Sequence, residues 1–268
     1  MNTLICLIPH YNNPEGLAKS LASIGKDEQC DVLVVDDGSV KKPLDEAAAR
    51  AAFAAQGKLH FLRLRHNRGI EHALNAGLEW IDEHGYELIA RLDCGDENLP
   101  DRFARQTAFL AAHPEVMLLG GAASFVDQSG VEQFVLRHPT DHAEIRRALK
   151  ANSAFIHPTV VMRRSAVEVV GGYPLDARAA EDYALFWSLA ERFQVANLHD
   201  VLIRYELDPG GISLGKRKQQ LRSRLKVQRQ HNDGSCAAWR GIVRTLALLA
   251  LPYGLVFRLK SWLRGGRA

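Results

Sequence analysis

Short apolar runs alternate with amphipathic segments over residues 4–121, and this alternation restricts the fold more than any other feature of the sequence. The apolar runs have strand length and are continuously hydrophobic, which is typical of strands buried on both faces of a parallel sheet. They are LICLIP, DVLVVDD, LHFLRL, ELIARLD and VMLLGG. Because strands that alternate with helices imply right-handed crossovers, the pattern predicts an α/β fold with a mainly parallel, twisted sheet flanked by helices.

The segments between the strands carry helix signals, such as Asn13 as a predicted N-cap with Pro14 at the first helical position. The predicted helices of the first half are Pro14–Ile24, Leu44–Ala55, Ile70–His84 and Pro100–His113. The rhythm changes after Ala122, where a hairpin turn is predicted at Asp127–Gly130. The later predicted elements are a helix near Asp141–Ala151, a strand at Thr159–Met162 and a helix from about Glu181 to Arg192.

Charge is distributed unevenly along the chain. Residues 211–268 contain 13 of the 34 Lys and Arg residues but one of the 31 Asp and Glu residues, which leaves 21 basic and 30 acidic residues in positions 1–210. An acidic body with a basic tail indicates an anionic partner for the tail, either a membrane or nucleic acid. No nucleic-acid-binding fold accompanies the charge, so an anionic membrane surface is favoured and nucleic acid is not expected.

The tail also contains Thr245–Phe257, a stretch without charge that is shorter than the about 20 apolar residues of a spanning helix. We expect an interfacial segment, with its apolar face in lipid and cations on the headgroups. Aromatic residues that suit this interface are Trp239, Tyr253 and Trp262. The alternative is a helical hairpin that packs on the body and includes a helix over Lys216–Arg229.

The N-terminal segment and the cysteines indicate the cellular compartment in which the protein is expected. The N-terminal apolar run has no basic region before it and is interrupted by Pro9 and His10, which is unlike a signal peptide. The four cysteines form no C-x-x-C pair, so neither disulfides nor a zinc site is indicated. We therefore expect a cytoplasmic protein that associates peripherally with the inner face of the plasma membrane.

Polar side chains follow three predicted strands at the points where the strands end. The segments are Pro9-His10-Tyr11-Asn12, Asp36-Asp37-Gly38-Ser39 and Asp93-Cys94-Gly95-Asp96. Each alone is compatible with a simple turn, but ligands of open parallel sheets bind beyond the carboxyl ends of the strands. Clustered carboxylates repel one another unless a cation lies between them, and hard oxygen ligands select Mg²⁺ or Mn²⁺, whose open positions phosphates fill. The pattern therefore predicts a site for a nucleoside diphosphate and its metal.

Five motifs in order resemble the inverting family 2 glycosyltransferases of the GT-A fold over roughly residues 3–213. They are LIPHYNN, VVDDGS, HNRGIEHALNAGLE, ARLDCGD followed by LPDRFARQ, and AEDYALFW. The resemblance implies transfer of a sugar from a nucleoside diphosphate to an acceptor hydroxyl with inversion. It also implies a GT-A domain over residues 1–210, with a nucleotide-binding half (1–121) and an acceptor half (122–210), before the basic and apolar helical tail (211–268).

The resemblance assigns donor-binding roles to loop residues. In the first loop, Pro9, Tyr11 and Asn12 are expected to line the nucleoside pocket. Further donor-binding positions are Asp36 at the base or ribose, Asp37 and Ser39 in its loop, Asn67, Gly69 and Asn75 in the N-x-G…N pattern, and Arg91 and Asp93 near the ribose and diphosphate.

The family's metal motif is usually D-x-D or D-A-D-D, and its third position here is Gly95, which has no side chain to offer a metal. The resemblance therefore leaves Asp93 and Asp96 as the expected ligands of Mg²⁺ or Mn²⁺.

Glu181 and Asp182 match the family's E-D pair, in which the aspartate is the base that accepts the proton of the attacking hydroxyl. Acids at a helix N-terminus also interact favourably with the helix dipole, but the accompanying motifs favour Asp182 as the base and Glu181 in support. His157, in H-P-T, is expected at the diphosphate or the acceptor. Arg217 is expected to help neutralise the departing diphosphate.

The expected function is that of a hexosyltransferase acting on a glycan or lipid-linked acceptor in the synthesis of a bacterial cell-surface glycan, such as lipopolysaccharide, capsule or exopolysaccharide. One alternative is a membrane-bound nucleotide-sugar-binding subunit that has lost catalysis. The glycine at position 95, where the family's metal motif usually has an acid, favours this alternative. A sugar nucleotidyltransferase would need a glycine-rich loop after the first strand, where this chain has His10–Pro14. A nicotinamide-dependent oxidoreductase would need G-x-G-x-x-G, which the sequence lacks.

Overall fold

The computed structural model describes residues 3–207 and 217–251. The strands are β1 (Leu4–His10), β2 (Asp31–Asp36), β3 (Leu59–Arg63), β4 (Leu88–Arg91), β5 (Glu97–Asn98), β6 (Val116–Val126), β7 (Glu132–Leu136), β8 (Val161–Arg163) and β9 (Gln194–Glu206). The helices are α1 (Pro14–Ser23), α2 (Glu46–Ala52), α3 (Ile70–Glu83), α4 (Arg102–Ala112), α5 (His142–Leu149), α6 (Arg164–Val170), α7 (Glu181–Arg192), α8 (Arg217–Gln230) and α9 (Cys236–Ala250). A 3₁₀ turn covers His157–Thr159.

One sheet contains all of the described strands in the order β3-β2-β1-β4-β8-β6-β9-β5, with β7 paired to β6. The four strands β3, β2, β1 and β4 are parallel, as predicted. Alternate residues of β1 enter different hydrophobic cores, with Ile5 and Leu7 on one face and Cys6 and Ile8 on the other. Both faces of the sheet are therefore covered, which explains why its strands are continuously apolar.

The other half of the sheet is mixed, because β8 pairs antiparallel with both β4 and β6 whereas β9 runs parallel to β6. Since β8 runs opposite to β4, the chain enters β8 from the carboxyl end of β4. The 3₁₀ turn His157–Thr159 just before β8 therefore lies at the same sheet edge as the loops after β1, β2 and β4.

Several predicted element boundaries are confirmed. The Asn13 side chain caps α1 by accepting from Gly16 N, and α7 begins at Glu181. The predicted hairpin is β6–β7, whose turn is held by Asp127. The predicted strand at Thr159–Met162 begins later, at Val161, because Thr159 belongs to the 3₁₀ turn.

Helix α6 and strand β9 were not predicted from the sequence. Valines make up three of the seven residues of α6, and β-branched residues are weak helix formers. The helix is ended by Gly171 at a φ of 84°, a left-handed conformation that glycine adopts readily. Burial of Ala166 and Val167 against the main core supplies the stabilisation that local propensity does not.

The described part of the tail packs on the body as a helical hairpin. This arrangement was the alternative prediction for the tail, beside a separate interfacial segment. Helices α8 and α9 contact each other, and α8 contacts α7. Gln228 Nε2 donates to Lys150 O at 3.2 Å, and His231 Nδ1 lies 2.8 Å from Glu191 Oε1. A Cβ on Gly241 would lie 1.8 Å from Lys150 O, so α9 approaches the body as closely as its backbone allows.

Only part of the predicted tail features can be located. The apolar stretch Thr245–Phe257 continues α9 up to Ala250. Residues 252–268, with Tyr253 and Trp262, and the predicted boundary at Gly210–Gly211 lie outside the described residues. Within residues 3–207 and 217–251, no helix has the length and apolar character that a bilayer crossing requires.

Candidate active site

Asp36 ends β2 and is held in place by hydrogen bonds to its Oδ1 atom. His10 Nδ1 lies 3.0 Å away, and Ser39 donates to the same oxygen from Oγ at 2.5 Å and from its backbone N–H at 3.3 Å. His10 is buried at 1% exposure, and it was not among the predicted site residues. Its only sequence signal is its place beside Tyr11 at the end of β1.

The loop after β1 is joined to the loop after β2 through Asn12. Asn12 N donates to Ser39 Oγ at 2.7 Å, and its side-chain oxygen accepts from Lys41 N and Lys42 N. Asn12 has a φ of 51°, which asparagine tolerates better than most residues. Tyr11 remains 51% exposed at this edge, where its ring can stack on a nucleobase.

Asp37 organises the loop that follows β3. Its two carboxylate oxygens accept from Arg68 N and Gly69 N, both at 2.9 Å. Burial raises the pKa of Asp37, and these two N–H donors oppose the rise. Asn67 is exposed next to this anchored pair, and Gly69 caps α3 at a φ of 106°. Asp37 was predicted to shape its own loop after β2, whereas these hydrogen bonds position the loop after β3.

Arg91 lies beneath the site with a fully buried side chain. Its Nη2 donates to Asp93 Oδ1 at 2.6 Å, and its Nη1 donates to the carbonyl oxygens of Leu7 and Leu92. A buried guanidinium needs this many acceptors because it keeps its charge at all ordinary pH values. Arg91 therefore fixes Asp93 at the mouth of the crevice.

His157 is connected to the same guanidinium. Arg91 Nε donates to His157 Nε2 at 3.2 Å, so this nitrogen must be the acceptor and the imidazole proton lies on Nδ1. Burial, with the Arg91 charge in addition, holds the pKa of His157 well below its usual value. The hydroxyl of Tyr173 lies 2.8 Å from the same Nε2 atom. His157 is thus a neutral member of an Asp93–Arg91–His157–Tyr173 chain.

Asn75 holds the backbone of Tyr173 by a pair of hydrogen bonds. Its Nδ2 donates to Tyr173 O and its Oδ1 accepts from Tyr173 N, each at 2.8 Å. The preceding Gly172 has a φ of 74°, and a Cβ there would lie 2.8 Å from Asn75 Oδ1. The Gly-Gly sequence before Tyr173 indicated a special backbone conformation there. Nothing in the sequence indicated that its partner would be Asn75, 98 residues away.

The turn from Asp93 to Asp96 depends on Gly95, which has a φ of 111°. Gly95 N donates to Ser20 Oγ at 2.9 Å, and Ser20 Oγ donates to Asp96 O at 2.8 Å. A side chain at Gly95 would face open space, with Asn13 Nδ2 as its nearest neighbour at 4.0 Å. Glycine is therefore favoured at position 95 by the positive φ of the backbone and not by a lack of space for a side chain.

Asp93 and Asp96 fit a metal that arrives with a diphosphate. Asp93 is half-buried, whereas Asp96 is buried and its Oδ1 accepts from Glu206 N at 3.0 Å. Asp96 Oδ2 is buried without a hydrogen-bond partner, and burial with the Asp93 charge raises the pKa of Asp96 well above its usual value. Such an oxygen needs a proton or a cation. In the described ranges no three His, Cys, Asp or Glu side chains form a complete metal site, but Mg²⁺ usually binds one or two carboxylates plus phosphates.

Glu181 and Asp182 form the first turn of α7 and titrate as a pair. Glu181 is buried with Oε2 unpartnered, and burial followed by the Asp182 charge raises its pKa to about 8. Burial also raises the pKa of Asp182, but the Tyr183 N–H and the Arg224 guanidinium oppose that rise. The two neighbouring acids therefore differ in their surroundings, because only Asp182 has an N–H donor and a guanidinium that oppose the effect of burial on its pKa.

The acidic residues of these loops are close enough to influence one another. The Asp93 charge contributes to raising the pKa of Asp96, Glu181 and Asp182. Glu71, which was not among the predicted site residues, is buried and pairs with Arg178 Nε at 3.3 Å. Its charge contributes to raising the pKa of Glu181. The one feature of the sequence that could have indicated a role for Glu71 is its position within the motif HNRGIEHALNAGLE.

Arg217, the first residue of α8, donates from Nη2 to Leu248 O at 2.8 Å. This contact joins the two helices of the hairpin.

The family model described as glycosyl transferase family 2 matches residues 5–171, which is more than half of the chain. The chain belongs to glycosyl transferase family 2. As a family 2 glycosyltransferase it is similar to the amylovoran biosynthesis glycosyltransferase AmsE of Erwinia amylovora, at 31% identity over 83% of each chain. It is 26% identical to the UDP-Gal:alpha-D-GlcNAc-diphosphoundecaprenol beta-1,3-galactosyltransferase of Escherichia coli, covering 72% of this chain and 69% of that relative.

Solved structures of similar shape confirm the predicted GT-A fold. S. aureus TarS (residues 1–349) in complex with UDP has a TM-score of 0.65 at 17% identity, covering 91% of this chain and 70% of that one. The mannosyltransferase PcManGT from Pyrobaculum calidifontis, in complex with GDP-Man and Mn²⁺, has a TM-score of 0.62 at 18% identity, covering 93% and 70%. At these identities the solved structures show similarity of fold alone. The family match identifies the chain as a glycosyltransferase.

Proposed function

We propose that this glycosyltransferase transfers a sugar from a nucleoside diphosphate to a hydroxyl of a glycan or lipid-linked acceptor, with inversion, during assembly of a bacterial cell-surface glycan. The observation that carries the proposal is the set of contacts that runs from Asp93 through Arg91 to His157 and joins the loop after β4 to the 3₁₀ turn before β8 at one sheet edge. The relatives support the glycan class, since one is named for amylovoran biosynthesis and another for transfer to a sugar-diphosphoundecaprenol.

The donor would bind across the loops after β1, β2 and β4, in the half over residues 1–121. Pro9, Tyr11 and Asn12 are proposed to contact the nucleoside together with Asp36. Asp37, Ser39, Asn67, Gly69 and Asn75 would shape the surrounding loops, and Arg91 would orient Asp93 toward the ribose and diphosphate. A bound Mg²⁺ or Mn²⁺ would neutralise diphosphate charge, with Asp93 and Asp96 as its protein ligands.

Inversion is explained by a single displacement. The acceptor oxygen attacks the anomeric carbon from the face opposite the diphosphate, and its proton passes to a carboxylate oxygen of Asp182. The bond between the anomeric carbon and the phosphate oxygen breaks in the same step, and the nucleoside diphosphate leaves with the electron pair. Neutral His157 would contact the diphosphate or the acceptor as a hydrogen-bond partner, because its pKa is too low for it to carry charge.

A thermal-shift panel of UDP, dTDP and GDP, each with and without Mn²⁺, tests the proposal. One nucleotide at about 100 times its Kd should raise Tm by about 5 °C or more, because a ligand that binds only the native state stabilises it. Asp36→Asn should lose most of the shift, whereas Asp200→Asn, which alters an exposed acid, should keep it. If no nucleotide shifts Tm, donor binding and the proposed function are contradicted.

The second candidate function is a nucleotide-sugar-binding subunit without turnover. It is favoured by Gly95 in the metal motif and by the engagement of Asp96 with the backbone of β9. An Asp182→Asn substitution separates the two candidates, because only an enzyme has turnover to lose.

We further propose that α9 rests on the inner face of the plasma membrane. Trp239, Val243 and Leu246 are 55%, 61% and 42% exposed, and their spacing of four and three residues places them on one face of α9. Arg240 and Arg244 are on the same helix and suit anionic headgroups.

Vesicle flotation tests this surface. Wild-type protein should float with vesicles that contain phosphatidylglycerol and much less with pure phosphatidylcholine. A Trp239→Ser, Val243→Ser double variant should bind about tenfold more weakly, because apolar burial supplies much of the interfacial affinity. Val40→Ser, which alters a residue 83% exposed elsewhere, is the control and should bind normally. Equal flotation of both variants would contradict the assignment.

A further inference from the structure

A cationic side chain of the tail lies beside the proposed base. Leu221 and Leu225 of α8 are buried, and Val227 joins the hydrophobic core that contains Tyr183. This packing brings Arg224 close to the start of α7. Burial raises the pKa of Asp182, and the Arg224 guanidinium is close enough to oppose that effect.

Arg224 lacks the partners that a buried guanidinium normally has. Its Nε atom is buried and has no hydrogen-bond partner, and no described residue forms an ion pair with it. Arg91 provides the contrast, since its guanidinium bonds two carbonyls, a carboxylate and an imidazole. A partly buried guanidinium with an unbonded Nε atom can donate to a bound anion in addition to interacting with the nearby Asp182 carboxyl.

A second cation lies near the first. Burial lowers the pKa of Arg224, the acidic groups of Tyr183 and Asp182 raise it, and the positive charge of Arg244 on α9 lowers it again. Two guanidinium groups that repel each other, with no described carboxylate bonded to Arg224, form a site that favours an anion with several acceptor oxygens.

The neighbouring surface of α9 is apolar. Arg244 lines a shallow concavity together with Arg240 and the apolar side chains of Cys236, Trp239 and Val243. A ligand that combines a phosphate with an aliphatic chain matches both features, because its chain would lie along α9 while its phosphate reaches the arginines.

We propose that Arg224 and Arg244 bind the phosphate or diphosphate group of an amphiphilic acceptor and thereby place its hydroxyl at Asp182. This inference rests on the proposed function and names the acceptor class, a sugar joined through phosphate to a lipid. It assigns the tail hairpin to the active site as an acceptor-binding element. Arg224 is then a binding residue that also favours the ionised form of the base.

Calorimetric titration of geranyl diphosphate into nucleotide-loaded protein tests the proposal. The protein is first saturated with the nucleoside diphosphate that stabilises it, so that the donor site is occupied. Geranyl diphosphate should bind wild-type protein, and Arg224→Gln should weaken that binding by about tenfold or more, because the variant loses a charge-assisted hydrogen bond to the phosphate. Arg224→Lys, which keeps the charge, should retain part of the affinity. Arg222→Gln, which alters an exposed arginine of the same helix, should bind like wild type.

Two further ligands identify what is recognised. Inorganic pyrophosphate should bind more weakly than geranyl diphosphate, and geraniol more weakly still. Equal binding of pyrophosphate would overturn the lipid part of the proposal, and equal binding of geraniol would overturn the phosphate part.

Other outcomes also have defined meanings. If Arg224→Gln binds geranyl diphosphate as tightly as wild type and loses only turnover, Arg224 acts on Asp182 alone and the acceptor site is refuted. If the protein binds no nucleotide at the loading step, the proposed function fails instead, so the two failures are distinguishable. Unchanged nucleotide affinity and Tm in the variants show that the fold is retained.

Discussion

Asp182→Asn is expected to lower kcat by about 10³-fold while the affinity for the nucleoside-diphosphate donor stays within about twofold. An amide of nearly the same shape cannot accept the proton of the acceptor hydroxyl, and general-base catalysis contributes about 10²–10⁴-fold. Donor contacts are proposed for other residues, so binding should survive. The measurement is transfer kinetics with the donor and acceptor that support turnover, together with calorimetric donor binding.

The control for this substitution is Asp200→Asn, because Asp200 is an exposed acid whose ion pair with Arg105 lies on the surface. In the wild-type enzyme, the acid limb of the kcat/KM profile should lie above the ordinary aspartate pKa of 3.8, since burial raises the pKa of Asp182. Turnover falls below that limb because the base becomes protonated. Unchanged kcat in Asp182→Asn would remove this residue from the mechanism.

Glu181→Gln is expected to stabilise the protein at alkaline pH and to have little effect near pH 4.5. The folded-state pKa of Glu181 is raised from 4.5 to about 8, so ionisation opposes folding. Below the unfolded pKa the carboxyl is protonated in both states and no penalty exists. The penalty grows as pH rises toward the folded pKa, and it reaches roughly 3 kcal/mol or more at pH 8.

Urea unfolding at pH 4.5 and pH 8 measures this effect as the difference in the free energy of unfolding between variant and wild type. Glu79→Gln, on the exposed face of α3, serves as the control and should change stability little at either pH. A difference that is the same at both pH values would show that folding does not raise the pKa of Glu181.

Features that depend on neighbours in the chain were predictable from the sequence. The cap formed by Asn13, the hairpin turn at Asp127 and the first residue of α7 each require only a few adjacent residues. The strands of the parallel half were predictable for a related reason, because burial on both faces demands a continuous apolar run. The order of motifs along the chain identified the family by resemblance.

Features that depend on distant partners were not predictable. The bonds of Asn75 to Tyr173 and the contact of His10 with Asp36 join segments separated by 98 and 26 residues. The tail was also ambiguous, since its cations and leucines suit either a lipid surface or a protein surface. Neither the cations nor the leucines of the tail indicated that Gly241 would approach Lys150 O closely.

By itself the sequence determined the kind of sheet, the loops that carry acids and the pairing of Glu181 with Asp182, because periodicity and adjacency are local properties. Only the folded structure shows which charges act on the pKa of each of the two acids and where the tail helices lie. The physical reason is that a pKa depends on burial and on charges from distant segments such as Asp93 and Arg224, which only folding brings together.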